Sequence, residues 1–88
     1  MDNKLLDLLV CPASRQPLSR VGHAELATLN DAIDGGNVLR NDGGRQADPL
    51  SEALITRDRR TVYRVDDGIP VLLVEEGIAT NQIADFPA

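Results

Sequence analysis

Apolar positions along this chain change rhythm several times, and each change marks an element. Leu5, Leu8 and Leu9 share one helical face, with Leu6 and Val10 beside them, which predicts a short helix over Asp2 to Val10. Asp2 or Asn3 caps it, and Pro12 stops it, because the residue before a proline avoids the helical region. Cys11 to Gly22 reads as a turn and a short extended piece anchored by Leu18 and Val21. Leu26, Leu29 and Ile33 return to helical spacing and predict the clearest helix, His23 to Asp34. Gly35-Gly36 ends it, since glycine takes the left-handed conformation at little cost.

The second half changes to β-formers. Leu54-Ile55-Thr56 and Thr61-Val62-Tyr63-Arg64-Val65, separated by the polar loop Arg57-Asp58-Arg59-Arg60, predict a hairpin. Asp66-Asp67-Gly68 turns the chain into a strand over Ile69 to Val74. Between helix and hairpin, Val38-Leu39-Arg40 reads as a short strand, Asn41 to Gly44 as a turn, and Pro49 to Ala53 as a helical turn. Residues 78–88 are expected to form a frayed tail. The sum is a single domain over 1–88, of α+β class: a small antiparallel sheet of three to four strands with two helices, and a helical insertion at about 22–50.

The strand Ile69-Pro70-Val71-Leu72-Leu73-Val74 does not alternate: both of its faces are apolar. Such strands sit inside covered sheets, yet Pro70 lacks an amide donor and belongs at an edge or a strand start. Either Pro70 merely starts the strand and the N-terminal helix covers its far face, or the apolar edge docks another protein's strand.

Composition narrows the function. A net charge of −5 disfavours general nucleic-acid binding, which needs a surplus of Lys and Arg. Tyr63 and Phe86 are the only aromatics, too few for a base-stacking platform. Hydrophobic residues at 42% and charged residues at 26% are ordinary for a folded domain, so disorder over the whole length is not expected. Cys11 is the single cysteine and has no disulfide partner within the chain. The first residues carry Asp2, Lys4 and Asp7 rather than a secretory signal, and no apolar run approaches a membrane span. The expectation is a cytoplasmic protein without membrane contact.

Two stretches carry a family resemblance. Leu5 to Ser14 (L-L-D-L-L-V-C-P-A-S) resembles the start, and Val62 to Leu73 (V-Y-R-V-D-D-G-I-P-V-L-L) the end, of a small zinc-ribbon-like family. That family comprises the activator subunit of several S-adenosylmethionine-dependent methyltransferases that modify tRNA, ribosomal RNA or release factors. It also includes short bacterial relatives of mostly unassigned function. The resemblance implies a non-enzymatic module that pairs strands with a cytosolic methyltransferase and covers its apolar patch. It points to Ile69, Pro70, Val71, Leu72 and Leu73 as docking positions, with Leu5 and Leu9 as neighbours. Zinc-binding members use two cysteine pairs, which fall here at Cys11 and Ser14 and near Thr56 and Arg59. With three of the four ligands gone, the resemblance implies a degenerate ribbon with no metal and no cofactor.

Other chemistry is thin. Cys11 and His23 lack a third orienting residue, so no catalytic group is assigned. Gly35-Gly36 and Gly43-Gly44 lack the Lys-Ser/Thr signature of a phosphate loop. Arg57, Arg59, Arg60 and Arg64 cluster, either as a solvated hairpin tip or as an accessory contact to RNA phosphate on a partner's substrate. Two alternatives to the activator reading stay open: a self-associating structural domain whose Ile69 to Val74 edge pairs with its own copy, and an accessory RNA-binding module.

Overall fold

The computed structural model describes residues 9–83 and 86. Its centre is a hairpin. Strand β2 (Glu52–Thr56) runs antiparallel to β3 (Thr61–Asp66), with Leu54 opposite Tyr63 and Ile55 opposite Val62. Strand β1 (Leu18–Arg20) lies on the outer side of β2, with Leu18 opposite Thr56. On the far side of β3 lie two short strands end to end: β4 (Ile69–Pro70) pairs its last residues, and β5 (Ile78–Ala79) its first. The sheet thus has five strands, all antiparallel.

Helix α1 (His23–Asp34) has the boundaries that its spacing predicts. Leu29 and Ile33 are buried and Leu26 packs partly against the same cluster. Gly36 takes the left-handed conformation (φ 82°) that ends the helix. Among the described residues α1 is the only α-helix. Of the helix expected over Asp2 to Val10, residues 2–8 lie outside the described residues; Leu9 is not helical, and Val10 bridges to Pro17 as extended chain.

Both faces of the hairpin are covered. Ala53, Ile55 and Val62 join Leu29, Ile33, Val38, Leu50, Ile78 and Ile83 in a core on the helix side. Leu54, Tyr63 and Val65 point the other way, onto Cys11 and Leu18. This is why Ala53 to Thr56 are all buried and do not alternate.

Three expectations are corrected. The strand over Ile69 to Val74 stops at Pro70, because the chain leaves the sheet after one further bond, from the Val71 amide to the Arg64 carbonyl (3.0 Å), and folds into a 3-10 turn at Val74–Glu76. Pro49 to Ala53 forms no helical turn; β2 already begins at Glu52. Residues 78–83 are not frayed. Ile78 and Ile83 lie in the core, Thr80 donates its amide to the Arg60 carbonyl and its hydroxyl to the Arg59 carbonyl, and Gln82 binds the backbone of Leu39.

Gly77 is closely packed by three neighbours. A Cβ there would stand 3.1 Å from Asn41 Nδ2, from Thr61 Cγ2 and from Tyr63 Cε1. Gly77→Ala is expected to lower stability by about 1–3 kcal/mol, as overpacking does, read as a fall in the urea midpoint at constant slope.

Candidate docking face and the two knuckle turns

The β3–β4 connection is a tight turn. Asp67 (φ 51°) and Gly68 (φ 77°) both take positive φ, which suits the twist of the flanking strands. It sets Pro70 opposite Val65, where the missing amide costs nothing on the open edge. The chain then bulges outward and returns to the sheet at Ile78.

That bulge is held from one side by the hairpin tip at residues 40–45. Asn41 donates its side-chain amide to the Val74 carbonyl (2.8 Å) and its backbone amide to the Gly77 carbonyl (2.8 Å). The Asp42 amide reaches the Glu75 carbonyl (2.9 Å). The Glu76 carboxylate accepts from Arg64 Nη2 (2.8 Å) and lies 3.5 Å from Arg40 Nη1. Arg64 also donates through Nε to Asp66 (2.9 Å). Asp66 first and Glu76 with it hold the Arg64 guanidinium charged, against its partial burial.

Held in this way, the bulge shows apolar side chains to solvent. Ile69 is 68% exposed, Leu73 48% and Val74 41%. Pro70 and Val71 are half-buried. Leu72 turns inward and, with Leu9, packs on the Cys11, Leu18, Leu54, Tyr63 and Val65 cluster. Leu5 lies outside the described residues. The positions pointed to for docking therefore divide: Ile69 and Leu73 face outward, whereas Leu72 and Leu9 serve the core. Val74, the end of the apolar run though not among the positions the resemblance points to, also faces outward. Its supports, Arg40, Asn41 and Glu76, are not marked in the sequence, because they act across more than thirty positions of chain.

The arginine group also divides. Arg57 and Arg60 lie exposed at the hairpin tip, and Arg59 forms an ion pair with Glu25 of α1. Arg64 sits apart, engaged by Asp66 and Glu76.

The two turns that would carry metal ligands lie at one end of the sheet. In the first, Arg15 donates to the Cys11 carbonyl (2.8 Å) and Cys11 to the Gln16 carbonyl (2.9 Å), with Arg15 at φ 60°. In the second, Arg59 (φ 62°) donates to the Thr56 carbonyl (2.8 Å). The side chains do not fit zinc. Cys11 alone offers sulfur, and its Sγ lies 3.1 Å from the Tyr63 hydroxyl. Ser14 and Thr56 offer only hydroxyls, and Arg59 carries a positive charge. No group of three His, Cys, Asp or Glu residues among those described lies close enough to hold an ion. Burial opposes ionisation of Cys11, but hydrogen bonds from Ser14 and Tyr63 outweigh it and hold the thiol below its usual range. Burial, and then the neighbouring Cys11, push the Tyr63 phenol up, so it keeps its proton.

Asp58 joins the turns. Its carboxylate accepts from Thr56 Oγ1 (2.6 Å), Gln16 Nε2 (3.0 Å) and the Arg60 amide (3.0 Å), while its own amide donates to Gln16 Oε1 (2.9 Å).

A small α+β domain with two knuckle turns at one end of its sheet and an apolar bulge on one edge is the class of protein these features define. The Trm112p-like protein family matches residues 2–68, and the chain belongs to that family, which is known for small activator subunits. A UPF0434 protein of Variovorax paradoxus is 37% identical over 76 residues, covering 86% of this chain and 82% of its own. A solution NMR structure of a Xylella fastidiosa protein is 58% identical, with a TM-score of 0.81, and covers all of this chain and 91% of that one. A tetraacyldisaccharide 4'-kinase of Verminephrobacter eiseniae contains a segment 36% identical over 76 residues, which is 86% of this chain but 11% of the kinase.

Two outcomes follow from this geometry. Glu76→Ala leaves Arg64 and Arg40 short of their shared carboxylate and is expected to cost about 1–2 kcal/mol in urea unfolding, with faster amide exchange at Asp42 and Gly77. Hydrogen bonds from Thr56 and then Gln16 hold the Asp58 carboxyl below the usual carboxylate range. Its contribution to stability is therefore present above the unfolded value of about 3.9 and is lost as pH falls through the lower folded value. Acid titration of the urea midpoint is expected to fall below about pH 4, with a shallower fall in Asp58→Asn.

Proposed function

We propose that this chain is a non-catalytic docking module that binds and stabilises a partner enzyme through the apolar bulge at Ile69, Leu73 and Val74. The reading rests on one observation: large apolar side chains held outward by a polar framework, at the sheet edge of a domain whose family is known for small activator subunits. A side chain exposed by local disorder would collapse on its neighbours. Here Asn41, Asp42 and Glu76 fix the backbone that presents it. Such a rigid apolar patch suits a partner, because the ordering cost of binding is already met.

The partner we propose is a cytoplasmic S-adenosylmethionine-dependent methyltransferase acting on a translation component, as the resemblance of the Asp67 to Leu73 stretch implies. RNA, on this reading, is met only through the partner's substrate, with the hairpin-tip arginines nearest to it.

A second reading has its own support. The kinase of Verminephrobacter eiseniae carries a related segment within a much longer chain. Fusion holds two domains at high effective concentration, which serves a pair that acts together. The module would then serve an enzyme that phosphorylates a tetraacyldisaccharide.

Affinity capture from the cytosol, with mass spectrometry as readout, tests the reading. The controls are Ile69→Asp and Leu73→Asp, chosen because these side chains are exposed and their loss leaves the core intact. A methyltransferase retained by the natural chain and lost from both variants is the expected outcome. A tetraacyldisaccharide kinase with the same dependence would move the partner to the second reading. Capture unchanged by either variant would overturn the docking face.

A further inference from the structure

The turn at residues 11–16 and the turn at residues 56–61 are the places where the family resemblance would put a metal, and their side chains do not fit one. They are nonetheless joined. We propose that the Gln16–Asp58 pair takes the place of a metal ion in joining the two knuckle turns, so that this chain reaches its native fold with no metal bound.

A structural metal in such a place does two things: it shapes each turn around its ligands, and it fixes one turn against the other. In this chain the first task is done by local hydrogen bonds. The Cys11 carbonyl and amide close the first turn on Arg15 and Gln16, and the Thr56 carbonyl closes the second on Arg59. Asp58 Oδ1 completes the second turn by accepting from the Thr56 hydroxyl and the Arg60 amide, while the Thr61 amide donates back to Thr56 Oγ1 (3.2 Å).

The second task falls to Gln16. Its carboxamide donates from Nε2 to the Asp58 carboxylate and accepts at Oε1 from the Asp58 amide, so both ends of one flat group are engaged by one residue 42 positions away. A paired contact of this kind fixes direction as well as distance, which a single hydrogen bond does not. It works at modest strength because the sheet has already brought the turns together: Leu18 lies opposite Thr56, next to the clasp. The Cys11–Tyr63 contact ties the first turn to β3 from beneath. The clasp need only stop the turns from splaying apart.

The same device recurs elsewhere in the molecule, which argues that it is a working part of this fold. Asn30 binds both the amide and the carbonyl of Leu50 (2.8 and 2.9 Å), and Gln82 does the same to Leu39 (2.9 and 2.7 Å).

The test has two parts and does not depend on the docking reading. Protein expressed in zinc-supplemented medium is assayed for metal by mass spectrometry and melted with and without EDTA. No stoichiometric zinc and an unchanged Tm are expected; one zinc per chain, or a Tm lowered by EDTA, overturns the proposal. Gln16→Ala, Asp58→Ala and the double variant are then melted and followed by amide exchange. Gln16→Ala is expected to lower Tm by about 5 °C and Asp58→Ala by more, since Asp58 also holds the Thr56 hydroxyl and the Arg60 amide, with the double falling short of the sum because the Gln16 Nε2–Asp58 carboxylate bond is lost in either single variant. Gln16→Ala is expected to raise exchange at the Asp58 amide about tenfold while amides of β3 keep their protection, a pattern that general destabilisation would not produce. Additive losses in Tm, or an Asp58 amide whose exchange does not respond to Gln16, overturn it.

Discussion

The β2–β3 hairpin is buried on both faces, and the rest of the molecule is arranged to satisfy that condition. Two directly opposed pairs express it. Ile55 and Val62 look toward the helix; Leu54 and Tyr63 look away from it. A sheet with two apolar faces must be covered twice. One α-helix among the described residues covers one side, and it needs Val38, Leu50, Ile78 and Ile83 to complete the layer. The other side is closed by Leu18 of β1 and by irregular chain: the Cys11 turn, Leu9 and the inward Leu72. Irregular chain has no ladder to satisfy its own backbone, so it must find partners elsewhere.

Side-chain amides meet part of that need. Asn30 and Gln82 each bind an amide and a carbonyl of one distant residue, as a neighbouring strand would. In this way Leu50 and Leu39 are fixed without extending the sheet. Glu76 does comparable work with charge, collecting Arg64 from β3 and Arg40 from the neighbouring hairpin tip. The apolar bulge is presented because its backbone is tied down on the side away from solvent.

What was legible in the sequence was local. The helix over His23 to Asp34 shows in the spacing of Leu26, Leu29 and Ile33, and Gly35-Gly36 marks its end because glycine alone accepts the required φ cheaply. The hairpin shows in its β-branched runs, and the tight turn in Asp67-Gly68. The strand is shorter than the apolar run Ile69 to Val74 suggests, since such a run gives the same signal whether it continues a sheet or leaves it. The candidate docking face is half legible: Ile69 and Leu73 follow from the motif, but only the packing of Leu72 on Tyr63 and its neighbours separates inward from outward residues. Gln16, Asn30 and Gln82 carry no pattern at all. Their partners lie 20 to 43 positions away, and a polar side chain looks the same in sequence whether it faces water or clasps a loop.

The core on the helix side draws on both ends of the described chain. Leu29 and Ile33 are made early in synthesis, while Ile78 and Ile83 are made late. Until the late pair emerges from the ribosome, the helix has only a partial surface to rest on, and the backbone of Leu39 waits for Gln82. The nascent chain therefore cannot close this layer in the order of its synthesis. The layer is complete only when the chain through Ile83 is free to pack against it.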